Sequence, residues 1–260
     1  MSRANDLGVV AITGAARGIG RGVARRLADD GYGVALSDID SEGVKEVARE
    51  IESIGGVARA DRIDVTDREA VATWVDQVDD HFGALTGIVA NAGILIPVPF
   101  LELTEELWHR TIDVNLHGVF HLVAPVARKM AERRRGSIVI IASAATRSSG
   151  GLTAHYAASK MALHGLTRSM ASELGPLGVR VNAVSPGSVD TGMWQGLAEG
   201  YASLSGRTAE EEWEAEVARI PLRRRETPAD VAKIVAYLLS DESDYMTGQN
   251  ISYDGGARMP

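Results

Sequence analysis

Short apolar segments alternate with longer segments of helical pattern along almost the whole chain, and this alternation limits the possible folds more than any other feature. The short segments, rich in β-branched residues, are VVAIT at 9–13, VALSDI at 34–39, the stretch 57–64, LTGIVAN at 85–91, SIVIIAS at 137–143, VRVNAVS at 179–185 and NISY at 250–253. Nearly continuous apolar character is typical of strands covered on both faces. Because helices separate these strands, the sequence predicts an α/β fold with a doubly wound, seven-stranded parallel sheet and helices on both faces.

The helices are predicted at about 19–30, at about 41–55, and at about 67–82, 104–135, 154–174 and 228–240. The longest contains Pro125, where we expect a bend because proline removes a helical hydrogen bond. One stretch, about 192–225, breaks the alternation and is expected to form one or two short helices over the sheet edge, as lids and binding loops do. No linker or repeat divides the chain, so residues 1–260 are predicted to form a single domain.

Composition excludes several classes of function. The chain has 260 residues, no cysteine and a net charge of -8. Without cysteine it has neither disulfides nor thiolate metal sites. An acidic balance argues against nucleic acid or an anionic membrane as the main partner. We see no signal peptide and no membrane span, so a cytoplasmic protein is expected.

The segment TGAARGIG at 13–20 joins the first strand to the first helix and suggests a phosphate-binding turn. Gly14, Gly18 and Gly20 have the spacing GxxxGxG, which differs from the usual dinucleotide fingerprint GxGxxG. Glycines allow a tight turn and let the backbone approach a pyrophosphate at a helix N-terminus, where free N–H groups favour anions. A turn that uses glycine for its own geometry is the alternative.

Asp38, at the end of the second strand, bears on the choice of dinucleotide. A carboxylate there can accept hydrogen bonds from both adenosine ribose hydroxyls, and it would repel a 2′-phosphate. Arg17 in the glycine turn could attract that phosphate instead. We give the carboxylate more weight because its repulsion acts at contact distance, so NAD is favoured over NADP.

The hexapeptide HYAASK at 155–160 places Tyr156 four residues before Lys160, which puts both on one face of a helix. A tyrosine hydroxyl titrates near ~10 and is a poor base at neutral pH, but an adjacent lysine cation would lower that pKa. On this spacing alone, a partly buried tyrosine beside a solvated lysine is the alternative. The remaining motifs decide between the two.

Seven motifs together resemble the short-chain dehydrogenase/reductase family. In the family's order and spacing, they are TGAARGIG, Asp64-Val65, the NAG of 91–93, Asn115, Ser143, YAASK and PGSVDT at 186–191. The resemblance extends from about residue 7 to about residue 256. It implies a single-domain Rossmann fold and an NAD(P)-dependent oxidoreductase that acts on secondary alcohols or ketones.

The resemblance implies four catalytic residues: Asn115, Ser143, Tyr156 and Lys160. Tyr156 would exchange a proton with the substrate oxygen, while Lys160 would lower its pKa and bind the nicotinamide ribose. Ser143 would hydrogen-bond the substrate oxygen and stabilise developing negative charge. Asn115 would hold a water that links Lys160 to solvent. Taken singly, a strand-end cap and a polar helix residue are the alternatives for Ser143 and Asn115.

The resemblance also implies the residues around the ligands. Those implied for the cofactor are Gly14, Arg17, Gly18, Ile19, Gly20, Asp38, Asp64, Val65, Asn91, Gly93, Tyr156, Lys160, Pro186, Gly187, Val189 and Thr191. Those expected near the substrate are Ser143, Ala145, Tyr156, Ser188, Met193 and Trp194, with Arg147, Leu197 and Tyr201 as further candidates. The family implies adenine contacts for Asp64-Val65, nicotinamide carboxamide contacts for 186–191, and hydride transfer at the pro-S face. Family members commonly form tetramers, so a homotetramer is expected.

The sequence is compatible with more than one class of substrate. The segment DTGMW and the tail SDYMTGQNISYDGG are similar to members that act on polyols, on diols such as butanediol with acetoin, and on related ketones. The alternative is an NADPH-dependent ketoreductase of 3-oxoacyl thioesters or other carbonyl compounds. A third possibility, from a different class, is a non-catalytic NAD-binding sensor, against which the intact Ser143, Tyr156 and Lys160 argue.

Other polar features are interpreted structurally. His117 and His121 have a spacing that can chelate a metal, but no third ligand is obvious, so no metal site is predicted. His155 is expected at the surface more than at the pocket mouth. The arginines at 223–225 are interpreted as a solvated or interface cluster, and EEEWEAE at 210–216 as a solvated helix face with Trp213 turned inwards.

Overall fold

The strands of the chain form one parallel sheet in the order β3-β2-β1-β4-β5-β6-β7, in a computed structural model that describes residues 7–147 and 150–258. They are β1 (Val9–Thr13), β2 (Gly33–Asp38), β3 (Ala58–Arg62), β4 (Leu85–Ala90), β5 (Gly136–Ile141), β6 (Val179–Pro186) and β7 (Asn250–Tyr253). The predicted fold class and all seven predicted strands are confirmed.

Helices cover both faces of this sheet, as predicted. They are α1 (Gly18–Asp29), α2 (Ser41–Ser53), α3 (Arg68–Phe82), α4 (Glu105–Ile112), α5 (Gly118–Arg133), α6 (Ala154–Leu174), α7 (Gly192–Ser205), α8 (Ala209–Arg219) and α9 (Pro228–Leu239). One apolar cluster packs α1, α2 and α9 on one face, and a second packs α3, α5 and α6 on the other. The central strands are therefore buried on both sides, which explains their continuous apolar runs.

The order of the strands reverses at β1, which has β2 on one side and β4 on the other. In open parallel sheets, such a reversal leaves a crevice outside the carboxyl ends of the strands. Gly14 follows β1, Asp38 ends β2 and Asn91 follows β4. The fold therefore brings these three predicted site residues to one crevice.

The helical region predicted at 104–135 is interrupted, but not where we expected. Residues Asp113–His117 form a π-helical turn between α4 and α5, whereas Pro125 lies inside the continuous helix α5. A π-helical turn adds a residue to the helical repeat and is frequent at functional sites. Here the turn contains the buried Asn115. The expectation of a bend near Pro125 thus missed the main irregularity of this region.

A partly buried ion pair joins α3 to α5. The Asp79 carboxylate accepts hydrogen bonds from two guanidinium nitrogens of Arg133, at 2.7 and 2.6 Å, and from the Leu85 N–H at 3.2 Å. The Arg133 hydrogen bonds are the main reason why the pKa of Asp79 falls to about 2. A depressed carboxyl pKa adds stability above the unfolded-state value near ~3.9, and that stability is lost as the pH falls towards the folded value.

We expect Asp79→Asn to lower the free energy of unfolding by about 2 kcal/mol at pH 7, because a neutral amide cannot replace the paired charge. Urea denaturation measures this, and the difference from wild type should shrink near pH 3, where the wild-type carboxyl loses its advantage. Asp76→Asn is the matched control: this exposed carboxylate pairs with Lys129 at 2.8 Å and should change stability by less than about 1 kcal/mol. Equal effects of the two substitutions on the free energy of unfolding would contradict a stabilising role of the Asp79–Arg133 pair.

Candidate active site

A cleft of about 2080 Å³ opens at the carboxyl ends of the strands. It is lined by residues that end or follow β1, β2, β4, β5 and β6, and by α7 and α8. All the residues predicted for cofactor and substrate line it except two: Gly20, which is buried behind the glycine turn, and the further substrate candidate Arg147. Most single-ligand pockets occupy roughly 300–1000 Å³, so this cleft has room for a dinucleotide together with a substrate.

The turn after β1 has steric reasons for its glycines. Gly14 has a φ of +66°, and a Cβ on it would lie 2.9 Å from the Cα of Ala92. A Cβ on Gly20 would lie 2.1 Å from the carbonyl oxygen of Gly14. The Asn91 side-chain amide donates to the carbonyl oxygens of Thr13 and Gly14 at 2.9 and 3.0 Å. The turn is thus packed tightly against the segment that follows β4.

The N-terminus of α1 lies at this turn and suits an anion. Its first turn contains no acidic residue, and the side chain of its N-cap residue Arg17 makes no capping hydrogen bond. Arg17, at the N-cap position, is exposed, and Gly18 and Ile19 line the cleft. Backbone N–H groups at a helix N-terminus bind phosphate oxygens well. The residues present therefore fit the pyrophosphate of a dinucleotide.

Asp38 has its carboxylate oriented by two backbone N–H groups. Oδ2 accepts from Ala16 at 3.0 Å, and Oδ1 accepts from Asp40 at 3.0 Å. Each carboxylate oxygen keeps a further lone pair for another donor. The group is therefore fixed in place and can still accept hydrogen bonds from a pair of hydroxyls in the cleft.

Ser143, Tyr156 and Lys160 come together where β5 ends beside α6. The Lys160 Nζ lies 5.8 Å from the centroid of the Tyr156 ring and donates to the Ile141 carbonyl oxygen at 2.8 Å. The Ser143 hydroxyl accepts the Ala145 N–H at 3.1 Å and is hydrogen-bonded to Tyr156. The structure thus places an acidic hydroxyl, a cation and a second hydroxyl at one end of the cleft.

Burial is the dominant influence on both titrating groups of this cluster. It raises the pKa of Tyr156, and the Ser143 hydrogen bond lowers that pKa by less. It also lowers the pKa of Lys160 to about 8. At neutral pH the tyrosine is therefore a neutral acid and the lysine is mostly a cation. The expected depression of the Tyr156 pKa by Lys160 is not what the protein groups alone produce, because desolvation has the larger effect.

Asn115 is fully buried in the π-helical turn and is bonded directly to the segment after β4. Its Oδ1 accepts the Ile94 N–H at 2.8 Å, while its Nδ2 donates to the Ile94 carbonyl at 3.0 Å and to the Ser159 hydroxyl at 3.1 Å. A Cβ on Gly93 would lie 3.3 Å from that Oδ1 and 3.4 Å from the Lys160 Nζ. Asn115 therefore holds the backbone beside Lys160, and its predicted role in binding water stays a prediction.

A stack of three side chains begins at Trp194, which lines the cleft, and continues behind it. The Trp194 and Trp213 rings are stacked, with centroids 3.9 Å apart, and the Arg225 guanidinium lies 4.5 Å from the Trp213 ring. Arg225 also pairs with Glu210 on α8 and, at 3.8 Å, with Asp190. The stack therefore connects the predicted excursion, now seen as α7 and α8, to the segment that follows β6.

The interpretation of EEEWEAE as a solvated helix face is wrong in part. Trp213 is turned inwards as predicted, but Glu212 and Glu216 line the cleft, with side chains only 15% and 13% exposed. The reason is tertiary: the Ser188 hydroxyl donates to Glu216 at 2.8 Å, and Arg258 lies 3.6 Å from the same carboxylate.

One further surface expectation needs correction. His155 is fully buried, because its side of α6 faces the backbone of Ile96 in the segment after β4. The arginines at 223–225 are largely solvated as predicted, since Arg223 and Arg224 are exposed and Arg225 is half-buried, and Arg224 also pairs with the buried Asp230 at 2.6 Å. Their ion pairs anchor the start of α9 and the wall of the cleft.

The two histidines with metal-ligand spacing have separate partners. The Nδ1 of His117 lies 2.9 Å from the Asp113 carboxylate, and the Nδ1 of His121 lies 2.9 Å from the Val65 carbonyl oxygen. Asp64, beside Val65, accepts the Thr66 N–H and hydroxyl at 2.9 and 2.8 Å. These contacts fix the segment after β3 in the cleft.

Sequence reasoning missed several residues that build the site. The Thr13 hydroxyl accepts the N–H groups of Asn91 and Ala92 at 3.2 and 3.1 Å, and Glu216 and Arg258 line the cleft. Thr13 lies in the glycine motif, which predicts no role for its hydroxyl. No local pattern marks Glu216 and Arg258 as site residues, because they reach the site through tertiary packing. Arg147, a substrate candidate, lines an adjoining cavity of about 530 Å³ instead of the main cleft.

This geometry fits the class of oxidoreductases that use a dinucleotide cofactor, because a turn suited to a pyrophosphate shares its cleft with a buried tyrosine hydroxyl and a buried lysine cation. A family model described as enoyl-(acyl carrier protein) reductase matches residues 14–258. The chain belongs to the short-chain dehydrogenases/reductases, and it is an oxidoreductase of alcohols and ketones.

Similar proteins include both dehydrogenases and ketoreductases. The 3-oxoacyl-(acyl-carrier-protein) reductase of Thermotoga maritima is 37% identical over 248 residues, covering 95% of this chain and 96% of its own. The L-2,3-butanediol dehydrogenase of Corynebacterium glutamicum is 36% identical over 251 residues, covering 95% and 97%.

The solved structures similar to this chain also include both a dehydrogenase and a ketoreductase. An NAD⁺-bound xylitol dehydrogenase superposes with a TM-score of 0.93 at 32% identity, covering 98% of this chain and 100% of its own. A variant actinorhodin polyketide ketoreductase with NADPH has a TM-score of 0.93 at 33% identity, covering 97% of each chain. NAD(P) binding is therefore a property of this fold and site.

Proposed function

We propose that the protein is an NAD-dependent dehydrogenase that interconverts a secondary alcohol and its ketone, with a small polyol, diol or hydroxyketone as substrate. One observation carries the proposal: the oriented Asp38 carboxylate and the Tyr156–Lys160 pair share one cleft. A carboxylate placed to accept ribose hydroxyls favours NAD over NADP.

The proposed catalytic centre works by proton exchange. The ionised Tyr156 takes the proton of the substrate hydroxyl during oxidation, and the neutral Tyr156 that results returns it during reduction. Ser143, already bonded to Tyr156, donates to the same substrate oxygen and stabilises negative charge there. Lys160 lies close enough to the Tyr156 ring for its charge to favour the ionised tyrosine. When bound, the nicotinamide ring supplies the hydride acceptor and a further positive charge.

The cofactor is proposed to follow the cleft from the glycine turn to α6. Gly14, Gly18, Ile19 and Gly20, with Arg17, form the phosphate cradle. Asp38 binds the adenosine ribose. The remaining proposed contacts are Asp64 and Val65 for adenine, Asn91 and Gly93 along the chain, Lys160 for the second ribose, and Pro186, Gly187, Val189 and Thr191 for the carboxamide.

We expect Asp38→Ala to lower the ratio of kcat/KM for NAD⁺ to that for NADP⁺ by about tenfold or more, because one charge repulsion of about 1.4 kcal/mol is removed. Steady-state kinetics with both cofactors measures the ratio. Asp40→Ala is the neighbouring control, since Asp40 caps α2 through the Gly43 N–H at 3.0 Å and points its carboxylate to that helix. If wild type already prefers NADP⁺ strongly, the proposed cofactor is wrong.

A ketoreductase of 3-oxoacyl thioesters with NADPH is the second candidate, because relatives of that class match the chain over 95% of its length. The cleft favours the polyol candidate over it. Beside Ser188, the wall carries the Glu216 carboxylate and the Arg258 guanidinium, which together can bind hydroxyl groups. Ala145, Met193 and Trp194 supply the apolar part of the same wall.

Assembly and location are proposed on family grounds. We propose a homotetramer in the cytoplasm, with a small molecule as the only other partner that the function needs. Among the described residues, no helix is both long enough and apolar enough to cross a bilayer. Light scattering coupled to size-exclusion chromatography tests the tetramer, and a monomer at assay concentration would contradict it.

A further inference from the structure

A buried carboxyl group lies behind the segment that we assign to the nicotinamide. Glu226, two residues before α9, is 8% exposed, and its Oε2 accepts the Gly187 N–H at 2.7 Å. Its carbonyl oxygen accepts the Asp190 N–H at 2.8 Å, and its backbone forms a parallel bridge with Val189. Glu226 therefore contacts the segment 187–190 through both side chain and backbone.

The second oxygen of this carboxyl group, Oε1, differs from Oε2 in its hydrogen bonding. Within residues 7–147 and 150–258, Oε1 of Glu226 is buried and has no hydrogen-bond partner. Glu226 lines the adjoining cavity of about 530 Å³, as does Ser252, whose buried hydroxyl is likewise unpaired among the described residues. Native proteins keep very few unpaired buried polar atoms, so such a group indicates a role beyond packing.

The surroundings of Glu226 oppose its ionisation. The charged or titratable groups around it are Asp230 on α9, Asp254 and Tyr253 at the end of β7, Arg224 beside it, and Arg147 and Arg258 along the cavity. Burial raises the pKa of Glu226 to about 8, and the Asp230 and Asp254 carboxylates add to this effect. The Gly187 N–H and the Arg224 guanidinium act in the opposite direction.

We propose that Glu226 is a positioning residue, whose carboxyl group holds the segment 187–190 in the conformation that binds the nicotinamide end of the cofactor. The inference rests on the proposed function, because that function assigns this segment to the cofactor. Gly187 is fixed by its N–H on Oε2, and a Cβ on Gly187 would lie 3.3 Å from the same oxygen. The side chain of Glu226 is thus in close contact with the backbone of the segment 187–190.

The role has a defined dependence on pH. In the held state Glu226 keeps its proton up to about pH 8, whereas a released segment would expose a carboxyl that titrates near ~4.3. Between these values the released state binds fewer protons, so a rise in pH favours release. Cofactor affinity should therefore fall as the pH rises, and it should fall less in a variant that cannot ionise at this position.

Binding of NAD⁺ to the full-length protein tests this, measured by tryptophan fluorescence and by calorimetry from about pH 6 to about pH 9.5. The variants are Glu226→Gln, Glu226→Leu and the control Glu214→Gln, an exposed carboxylate on α8. Glu226→Leu should raise the Kd for NAD⁺ about tenfold, since it removes the acceptor for the Gly187 N–H. Glu226→Gln keeps an acceptor oxygen and cannot ionise. It should match wild type near pH 6 and bind several-fold more tightly than wild type near the upper limit.

A constant ratio of the two Kd values, Glu226→Gln to wild type, across the whole pH range would overturn the proposal. So would wild-type affinity in a folded Glu226→Leu variant. If thermal denaturation shows that Glu226→Leu does not fold, the pH dependence of the Glu226→Gln ratio decides alone. Failure of the wild type to bind NAD⁺ at any pH would instead contradict the proposed function, so the two failures are distinguishable.

Discussion

Replacing Tyr156 with phenylalanine is expected to lower kcat for alcohol oxidation by about 10³-fold, in the range that general acid–base catalysis contributes. The substitution removes the hydroxyl that bonds to Ser143 and leaves the ring, which is 9% exposed, in its packing. The Kd for NAD⁺ should stay within about twofold of wild type, because the ring and Lys160 remain. Steady-state kinetics and fluorescence titration measure the two quantities.

Tyr32→Phe is the matched control for this experiment. Tyr32 is also 9% exposed, and burial raises its pKa as well, but its side chain packs in the apolar core with α1 and α2. The control should keep wild-type kcat. Turnover that is unchanged in Tyr156→Phe would overturn the assignment of the catalytic acid and base.

Lys160→Met is expected to damage both cofactor binding and the pH profile. The side chain is 3% exposed and its Nζ donates to the Ile141 carbonyl, so methionine fills the space without the charge or the donor. Loss of a hydrogen bond to the ribose should raise the Kd for NAD⁺ about tenfold, and kcat should fall by at least about 10²-fold.

The pH profile separates this role from simple packing. In wild type burial raises the pKa of Tyr156 and the Ser143 hydrogen bond lowers it by less. The lysine charge favours the ionised tyrosine, so its loss should raise that pKa further. The rising limb of kcat/KM for oxidation should therefore move to higher pH in Lys160→Met. An unshifted limb would show that Lys160 does not influence the proton transfer. Lys45→Met, at an exposed position paired with Glu42, controls for the loss of a lysine elsewhere.

Most of the fold was predictable because nearly continuous apolar runs and helical repeats are strong local signals. The first strand at 9–13 and the helix at 154–174 match β1 and α6. Predicted boundaries of strands were wrong where a side chain competes with the backbone for hydrogen bonds. The third strand ends at Arg62 instead of near 64, because the Asp64 carboxylate accepts the Thr66 N–H and begins a turn. The π-helical turn has no comparable local pattern.

Those residues of the candidate site that belong to short sequence motifs were predictable, and the others were not. Tyr156, Lys160 and the glycine turn are short motifs, and the structure brings them to one cleft with Ser143. The substrate wall was not predictable, because its polar groups come from distant parts of the chain. The Glu216 carboxylate is on α8, and Arg258 follows the last strand. The spacing of Glu216 and Arg258 in the sequence does not predict that their side chains lie close together.

The central claim is that Tyr156 and an NAD cofactor together oxidise a small secondary alcohol. The most direct test is the rate of NADH formation by the purified protein across polyols, diols, hydroxysteroids and hydroxyacyl thioesters, repeated with NADP⁺. We predict that a polyol or diol gives the highest kcat/KM, with NAD⁺ favoured over NADP⁺ by at least about tenfold. The highest kcat/KM with a hydroxyacyl thioester and NADP⁺ would contradict the claim.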